Sequence, residues 1–324
     1  MRLPRASWFR MFTFCTVAFF LSPPSQAARV RRVVGGRELA AGAWPWLVSL
    51  NYKEHHVYLE LQGLRHLCGG TLVHPQWVLT AAHCVHFASG SAGLGVAENW
   101  DAVLGEYNRR VNEGHEQRIQ VDAIFVSPSY SLSPKLTGDI ALLKLATPVN
   151  ITDSVRPIGI DTLREIPAGT SCKAAGWGQH APDDYGQPQY GNGTIVPHVI
   201  DVKRVSTADC RRAYAKFWPL IDQRVMCFNS NTRSDTCKGD SGGPLVCRDG
   251  QGQLQVTGIV SVGMGCALVD FPGIYTRVAE YRPWILETIE THSNWGMAGD
   301  EGDAGRQAEQ DEAENQAQGT EIPA

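Results

Sequence analysis

Three short stretches hold the side chains that could do chemistry together. "LTAAHC" ends a β-prone run with His83 between Ala82 and Cys84, "DIALLKL" opens with Asp139 ahead of an apolar run, and "CKGDSGGPLVC" sets Ser241 in a glycine-rich turn between Cys237 and Cys247. Taken singly, each has a plain explanation: a satisfied polar histidine, an acid at a strand end, a Gly-Ser turn. Together they could make an activated nucleophile. An alcohol attacks poorly at neutral pH until a base takes its proton, and imidazole is the side chain suited to that task. The imidazole needs an acceptor on its far nitrogen, to fix the tautomer and to stabilise the cation that forms. Asp139 suits that need, because a carboxylate buried beside an apolar run and left unpaired costs several kcal/mol. Glycines around Ser241 let backbone N–H groups turn toward a developing oxyanion, where one donor is worth roughly a hundred- to a thousandfold in rate.

"TAAHC", "DIALL" and "GDSGGP", in that chain order, resemble the trypsin-like (chymotrypsin-fold) serine endopeptidases, and the similarity runs from about Val33 to Ile289. The resemblance implies an all-β fold of two antiparallel six-stranded β-barrels, with the active site in the cleft between them and a C-terminal helix. It implies that His83 is the general base and then acid, that Asp139 orients and stabilises it, and that Ser241 is the nucleophile, with the N–H groups of Gly239 and Ser241 as the oxyanion hole. It also implies four disulfides: Cys68 with Cys84, Cys172 with Cys247, Cys210 with Cys227, and Cys237 with Cys266. The residue six before the nucleophile lies at the base of the family's specificity pocket. Here it is Asp235, whose carboxylate would favour a substrate cation, so cleavage after Arg or Lys is expected. Gly263 and Gly273 match the pocket walls, and Ser261 is counted with them on the substrate-binding side. Two positions depart from the pattern: Val262 stands where the family usually has tryptophan, and Lys238 at the mouth stands where a neutral residue is commoner.

Elements able to hold such a site are visible in the hydrophobic pattern. Short β-prone runs recur between turn signals: "WLVSL", "WVLT", "DAVLGEY", "IQVDAIFV", "DIALLKL", "VIDVKRV", "GPLVC", "LQVTGIVSV" and "GIYTRV". Many short strands punctuated by Gly and Pro, without alternating long helices, predict a sandwich or barrels. "AEYRPWILETIE" predicts one closing helix, with Trp284, Ile285, Thr288 and Ile289 at helical spacing. A shorter helix is predicted at "STADCRRAY", capped by Ser206 or Thr207. Two loops are longer than in the digestive enzymes, "NYKEHHVYLELQGLRHL" before Cys68 and "VHFASGSAGLGVAENW" after Cys84, and loops flanking a cleft narrow substrate choice.

The ends of the chain differ from its body. Six arginines and no acid occur in the first 32 residues, whereas eight acids stand against Arg306 from His292 onward, so the net charge of −4 leaves the body close to neutral. No concentrated basic face for nucleic acid is expected. Residues 1–27 combine basic residues, the apolar run "MFTFCTVAFFL" and the small-residue exit "SQA", the layout of a secretory signal peptide cut near Ala27. The run is too short to span a bilayer, and no other segment is long and apolar enough to serve as a membrane anchor. Of nine cysteines Cys15 leaves with that peptide, and the remaining eight suit an oxidising compartment, although spacing alone does not fix their pairing. No CxxC pair occurs, and the histidines of "KEHHVYLELQGLRHL" fit a polar surface loop better than a metal site, so neither metal nor cofactor is expected. Asn150 in "NIT" and Asn192 in "NGT" are glycosylation sequons or plain surface turns. Residues 292–324 have almost no bulky apolar side chains and are expected to form a disordered tail, either a binding arm or a solvated extension.

"ARVRRVVGG" reads either as a small basic patch or as a place where the chain is cut, and the resemblance implies a cut between Arg32 and Val33. "VVGG" resembles the start of the mature chain in the family, which implies a propeptide at 28–32, a protease domain at 33–291, and a freed Val33 ammonium paired with Asp240. A trypsin-like activator needs only the final arginine, while "RVRR" also suits a multibasic convertase. The expected protein is a secreted, monomeric zymogen, destined for the extracellular space or a secretory granule. Its expected partners are an activating protease, protein inhibitors, and a protein or peptide substrate with Arg or Lys before the cut. The alternative is a protease-fold binding protein that has lost catalysis, although such relatives usually lack a member of the triad.

Overall fold

A computed structural model describes residues 36–53, 66–86, 93–133, 135–162, 165–178, 193–217, 221–230, 236, 239–264 and 270–293. In chain order the strands are β1 (Arg37–Glu38), β2 (Leu47–Tyr52), β3 (His66–His74), β4 (Trp77–Thr80), β5 (Trp100–Leu104), β6 (Gln117–Val126) and β7 (Ala141–Leu145). There follow β8 (Gly159–Ile160), β9 (Ser171–Gly176), β10 (His198–Arg204), β11 (Val225–Asn229), β12 (Pro244–Arg248), β13 (Leu254–Val262) and β14 (Gly273–Arg277). Strands β2-β3-β4-β7-β6-β5 close into one antiparallel barrel. The second barrel runs β10-β11-β14-β13-β12-β9 and closes where β9 pairs with β10, while β1 adds to β10 and β8 runs parallel to β13. The two barrels expected from the resemblance are present.

Period-2 patterning explains the first barrel. Along β6, Arg118, Gln120 and Asp122 face solvent while Ile119 and Val121 turn inward, and β4, between β3 and β7, is buried throughout. Trp77, Leu79, Trp100 and Leu142 fill that core, and Val246, Val256 and Ile259 of the second barrel pack on the same cluster. The two barrels therefore share an apolar seam. Besides the two-residue strands β1 and β8, three strands escaped the hydrophobic pattern, β3 ("HLCGGTLVH"), β9 ("SCKAAG") and β11 ("VMCFN"), two of them rich in small residues. Those small residues are needed where backbones approach: a Cβ on Gly69 would lie 2.8 Å from the Cα of Gly243, and one on Gly70 would lie 2.7 Å from Val78 Cγ1.

Of the three α-helices among the described residues, α1 (Ala82–Val85) is a single turn, α2 is Thr207–Tyr214 and α3 is Arg282–His292. Ser206, one of the two expected caps, accepts the Asp209 N–H at 3.1 Å and starts α2. The closing helix begins later than its apolar spacing suggested, because Val278–Tyr281 form a 3-10 turn and Pro283 stands in the first turn, where its missing N–H costs nothing. It also ends later: His292, assigned to the tail by composition, is its last residue, and its ring centroid lies 4.4 Å from that of Phe125. The expected signal peptide and propeptide, and residues 294–324, lie outside the described residues.

Candidate active site

Strand β4 runs through Ala81 into α1, whose second residue is His83. Ala81 offers no side-chain cap, so the first-turn N–H groups of α1 need an acceptor from elsewhere. Asp139 supplies it from the segment entering β7. Its Oδ1 accepts the His83 backbone N–H at 2.9 Å and its Oδ2 accepts the ring Nδ1–H at 2.8 Å. One carboxylate thus fixes both the backbone and the ring of the histidine. The ionised carboxylate is acceptor-only, so Nδ1 carries the proton and the lone pair is left on Nε2.

Asp139 is 1% exposed and well satisfied. Besides His83, the Ser261 hydroxyl donates to Oδ2 at 2.5 Å, and the Thr276 hydroxyl donates to the Asp139 carbonyl at 2.7 Å. Burial pushes Asp139 up, but the His83 charge, the ring hydrogen bond, the Ser261 hydroxyl and the His83 amide together hold it below the usual carboxylate range. Burial pushes His83 down, yet the charge and hydrogen bond of Asp139 more than offset this and raise it above an ordinary imidazole. The pair is built to stabilise imidazolium.

Ser241 is set in the turn that leads into β12 of the second barrel. Gly239 and Gly242 on either side have left-handed φ of 96° and 78°, which side-chain-bearing residues rarely adopt. The turn is held between barrels: the Ser241 carbonyl accepts the Gly69 N–H of β3 at 2.7 Å, and the Gly242 N–H donates to Val260 of β13 at 2.9 Å. A Cβ on Gly242 would collide with the Thr80 hydroxyl and with the Gly69 carbonyl oxygen, 2.6 Å away. Thr80 lies three residues before His83. The Ser241 turn therefore rests directly on the strand that leads to His83.

Asp240, adjacent to Ser241, is buried and turns its carboxylate toward the end of β9. Oδ1 accepts the Gly178 N–H at 2.8 Å, and a Cβ on either Gly176 or Gly178 would overlap the carboxylate. Gly239 packs against Gly178, and its carbonyl oxygen is 2.8 Å from Nε2 of His66. His66 corrects an expectation: placed by composition in a polar surface loop, it is the buried first residue of β3, with Nδ1 2.7 Å from the Ser49 hydroxyl. Burial, and then the charge of Arg109, lower its pKa to about 3 against the opposing Gly239 hydrogen bond. Neutral His66 must therefore donate from Nε2 to Gly239 and accept at Nδ1. Nothing in "LRHLC" signals this, because the partner is 173 residues away.

The remaining sequence candidates fall in different places. The hydroxyl of Ser261, expected on the substrate wall, is committed to Asp139. Gly263 is exposed at the end of β13, and Gly273 is the buried first residue of β14. Asp235, Lys238, Cys237, Cys266, Arg32, Val33 and Asn192 lie outside the described residues, whereas Asn150 is exposed and bonded through its backbone to Gln117. Three of the four expected disulfides are formed: Cys68–Cys84, Cys172–Cys247 and Cys210–Cys227. One group of oxygens carries no signal in the cysteine and histidine spacing. Carboxylates of Glu106, Glu113 and Glu116 come within 4.8 Å of one another, and burial followed by the charges of Glu116 and Glu113 raises Glu106.

Among the described residues no helix is long and apolar enough to cross a membrane. The trypsin family model matches residues 33–285. Serine protease 1 of Rattus norvegicus is 37% identical over 259 residues, covering 80% of this chain and 90% of that protein. Tryptase of Mus musculus is 36% identical over 271 residues, covering 81% and 90%. Transmembrane protease serine 5 of Homo sapiens is 34% identical over 260 residues, 80% of this chain, which spans only about half (52%) of that relative's length. With the family's fold and the family's sequence over four fifths of its length, the chain belongs to the trypsin family of serine proteases and is a serine endopeptidase.

Proposed function

We propose that the chain is the precursor of a secreted endopeptidase that cleaves proteins after Arg or Lys through an acyl-enzyme. The observation that carries this reading is the buried Asp139, which holds His83 by backbone and ring while the Ser241 turn sits against the strand leading to that histidine. Ser241 Oγ attacks the scissile carbonyl carbon as His83 Nε2 takes the hydroxyl proton. The carbonyl π pair moves onto oxygen, which the N–H groups of Gly239 and Ser241 receive. Collapse breaks the C–N bond, and His83 returns the proton to the leaving amine. Water then repeats the sequence on the ester, releasing the acid and restoring Ser241. The intact network around Asp139 favours this over a catalytically lost binding protein.

Asp235 is assigned to the base of the specificity pocket. Its neighbour Thr236 has Oγ1 3.2 Å from the hydroxyl of buried Tyr275, on the strand that Gly273 begins, which supports placing it beside that wall. For activation, the Asp240 carboxylate is directed away from the nucleophile, toward Gly176 and Gly178, and a Val33 ammonium freed by cleavage after Arg32 would pair with it there. The brevity of the propeptide favours a convertase slightly over a trypsin-like activator. Export by the signal peptide, the Cys237–Cys266 disulfide, glycans on Asn150 and Asn192, a monomeric state and control by protein inhibitors complete the proposal.

A small arginyl amide offered to protein cut after Arg32 tests the core of this reading. Turnover that disappears in Ser241→Ala is expected; no turnover, or turnover undiminished in that variant, overturns it. Asp235→Ser should remove the Arg/Lys preference, and Arg32→Gln should leave an inactive precursor.

A further inference from the structure

The segment that carries Asp139 leaves the first barrel after β6 and docks on the second before returning as β7. Ser131 and Thr137 exchange backbone hydrogen bonds at 2.8 and 2.9 Å, closing a small hairpin. Leu136 at its base is fully buried, not in its own barrel's core but among Cys210, Tyr214, Ile221 and Val225. Gly138 follows with φ of 65°, so close to Ser129 that no side chain fits, and its N–H donates to the hydroxyl of Tyr281 at 2.8 Å. Asp139 is next. Any shift of residues 135–138 is therefore passed directly to the carboxylate that holds His83.

A charge cluster clamps this segment from both sides. Asp222, in the link between α2 and β11, takes Lys135 Nζ on Oδ2 at 2.8 Å and Arg224 Nε on the same oxygen at 3.4 Å, while its Oδ1 accepts the Arg224 N–H at 2.9 Å. Arg224 then reaches back, and its Nη1 donates to the Thr137 hydroxyl at 3.2 Å. Its carbonyl accepts the Arg277 N–H at 2.9 Å, tying the cluster to the end of β14. Asp222 is only partly exposed, and the two cations with the amide outweigh its burial, which holds it below the usual carboxylate range. Its contacts join Lys135 of that segment to Arg224, which in turn holds Thr137.

We propose that Asp222, with Lys135 and Arg224, is a positioning residue for catalysis: an ionic clamp between the barrels that fixes Asp139 against His83. The proposal rests on Asp139 and His83 being the acid–base pair of the proposed function. Apart from each other and the Ser261 hydroxyl, the titratable group acting on that pair is Tyr130, which burial and then the Asp139 charge push up to about 12, so it stays neutral in the working range. A loosened Asp139 supports the imidazolium less, so the His83 pKa falls. Two changes should then occur together: a lower plateau rate, and an acid limb displaced to lower pH.

Asp222→Asn, in protein cut after Arg32 and assayed on an arginyl amide, tests this. Expected are a kcat lower by roughly three- to thirtyfold, a nearly unchanged KM, and an acid limb of kcat/KM moved to lower pH. An unchanged kcat, or a fall in kcat with the acid limb in place, overturns the clamp. If near-ultraviolet circular dichroism shows that Asp222→Asn has not folded, Lys135→Met and Arg224→Gln, each removing one arm, carry the same two readouts. His83→Ala is measured alongside: turnover surviving there removes the catalytic reading itself, whereas turnover lost there but intact in the clamp variants removes the clamp alone.

Discussion

The two halves of the site are held in place by opposite means. On the His83 side, position comes from side chains: one carboxylate takes a backbone amide, a ring nitrogen and a serine hydroxyl. On the Ser241 side it comes from the lack of side chains, with Gly69, Gly176, Gly178, Gly242 and Gly243 letting backbone lie on backbone or on Asp240. The first half is sensitive to changes of polarity and the second to changes of volume. A polar error there leaves a folded but idle enzyme, whereas a steric error here should cost stability and activity together.

Asp139→Asn gives the largest separation of the two. The amide can keep the shape but cannot stabilise imidazolium, and it favours the wrong tautomer, so kcat should fall by about ten-thousandfold with little change in melting temperature. A stability loss equal to that of a glycine variant would break the comparison. Gly178→Ala comes next, because its Cβ would overlap the Asp240 carboxylate. Denaturant titration should show a loss of about 1–3 kcal/mol, accompanied by a hundredfold or so lower kcat as the neighbouring nucleophile shifts. Ser261→Ala removes one of several donors to Asp139 and should lower kcat only about five- to tenfold, in line with the net worth of one ordinary hydrogen bond.

The smallest effect at working pH concerns His66. Its folded pKa of about 3 lies below the 6.5 of an exposed imidazole, so the unfolded chain takes a proton that the folded one refuses. The stability this neutral histidine lends is complete above about pH 6.5 and drains away as pH falls toward 3. His66→Gln keeps a donor for Gly239 but cannot titrate, so its melting temperature should fall less steeply through that window. Parallel curves would mean that His66 is not the group responsible. Activity follows His83 in the other direction: with its pKa raised, the acid limb should lie above that of an ordinary imidazole, since only neutral His83 can accept the serine proton.

How much of this was legible in the sequence follows the same division. His83, Asp139 and Ser241 announced themselves because chemistry restricts residue type, and β4 and β13 announced themselves because buried strands are continuously apolar. Strands β3 and β9 did not, because their role is to admit a neighbouring backbone and small residues carry little hydrophobic signal. His66 and Asp222 were silent for a different reason. Each works through a partner far away in sequence: local composition suggested only a polar loop for His66 and gave nothing to single out Asp222. Ser261 was noticed, but its hydroxyl turns toward Asp139, an orientation that only the bulge near Val262 in β13 reveals.

The contact between Gly69 and the turn at Ser241 reaches beyond this one molecule. A seam made of peptide units has a spacing set by covalent geometry, and covalent geometry does not drift. Cores on either side can exchange leucine for valine, and surface loops can lengthen, without moving the reference from which the nucleophile is measured. Substitutions could therefore accumulate across most of the chain over evolutionary time while the distance that governs bond cleavage kept its ruler.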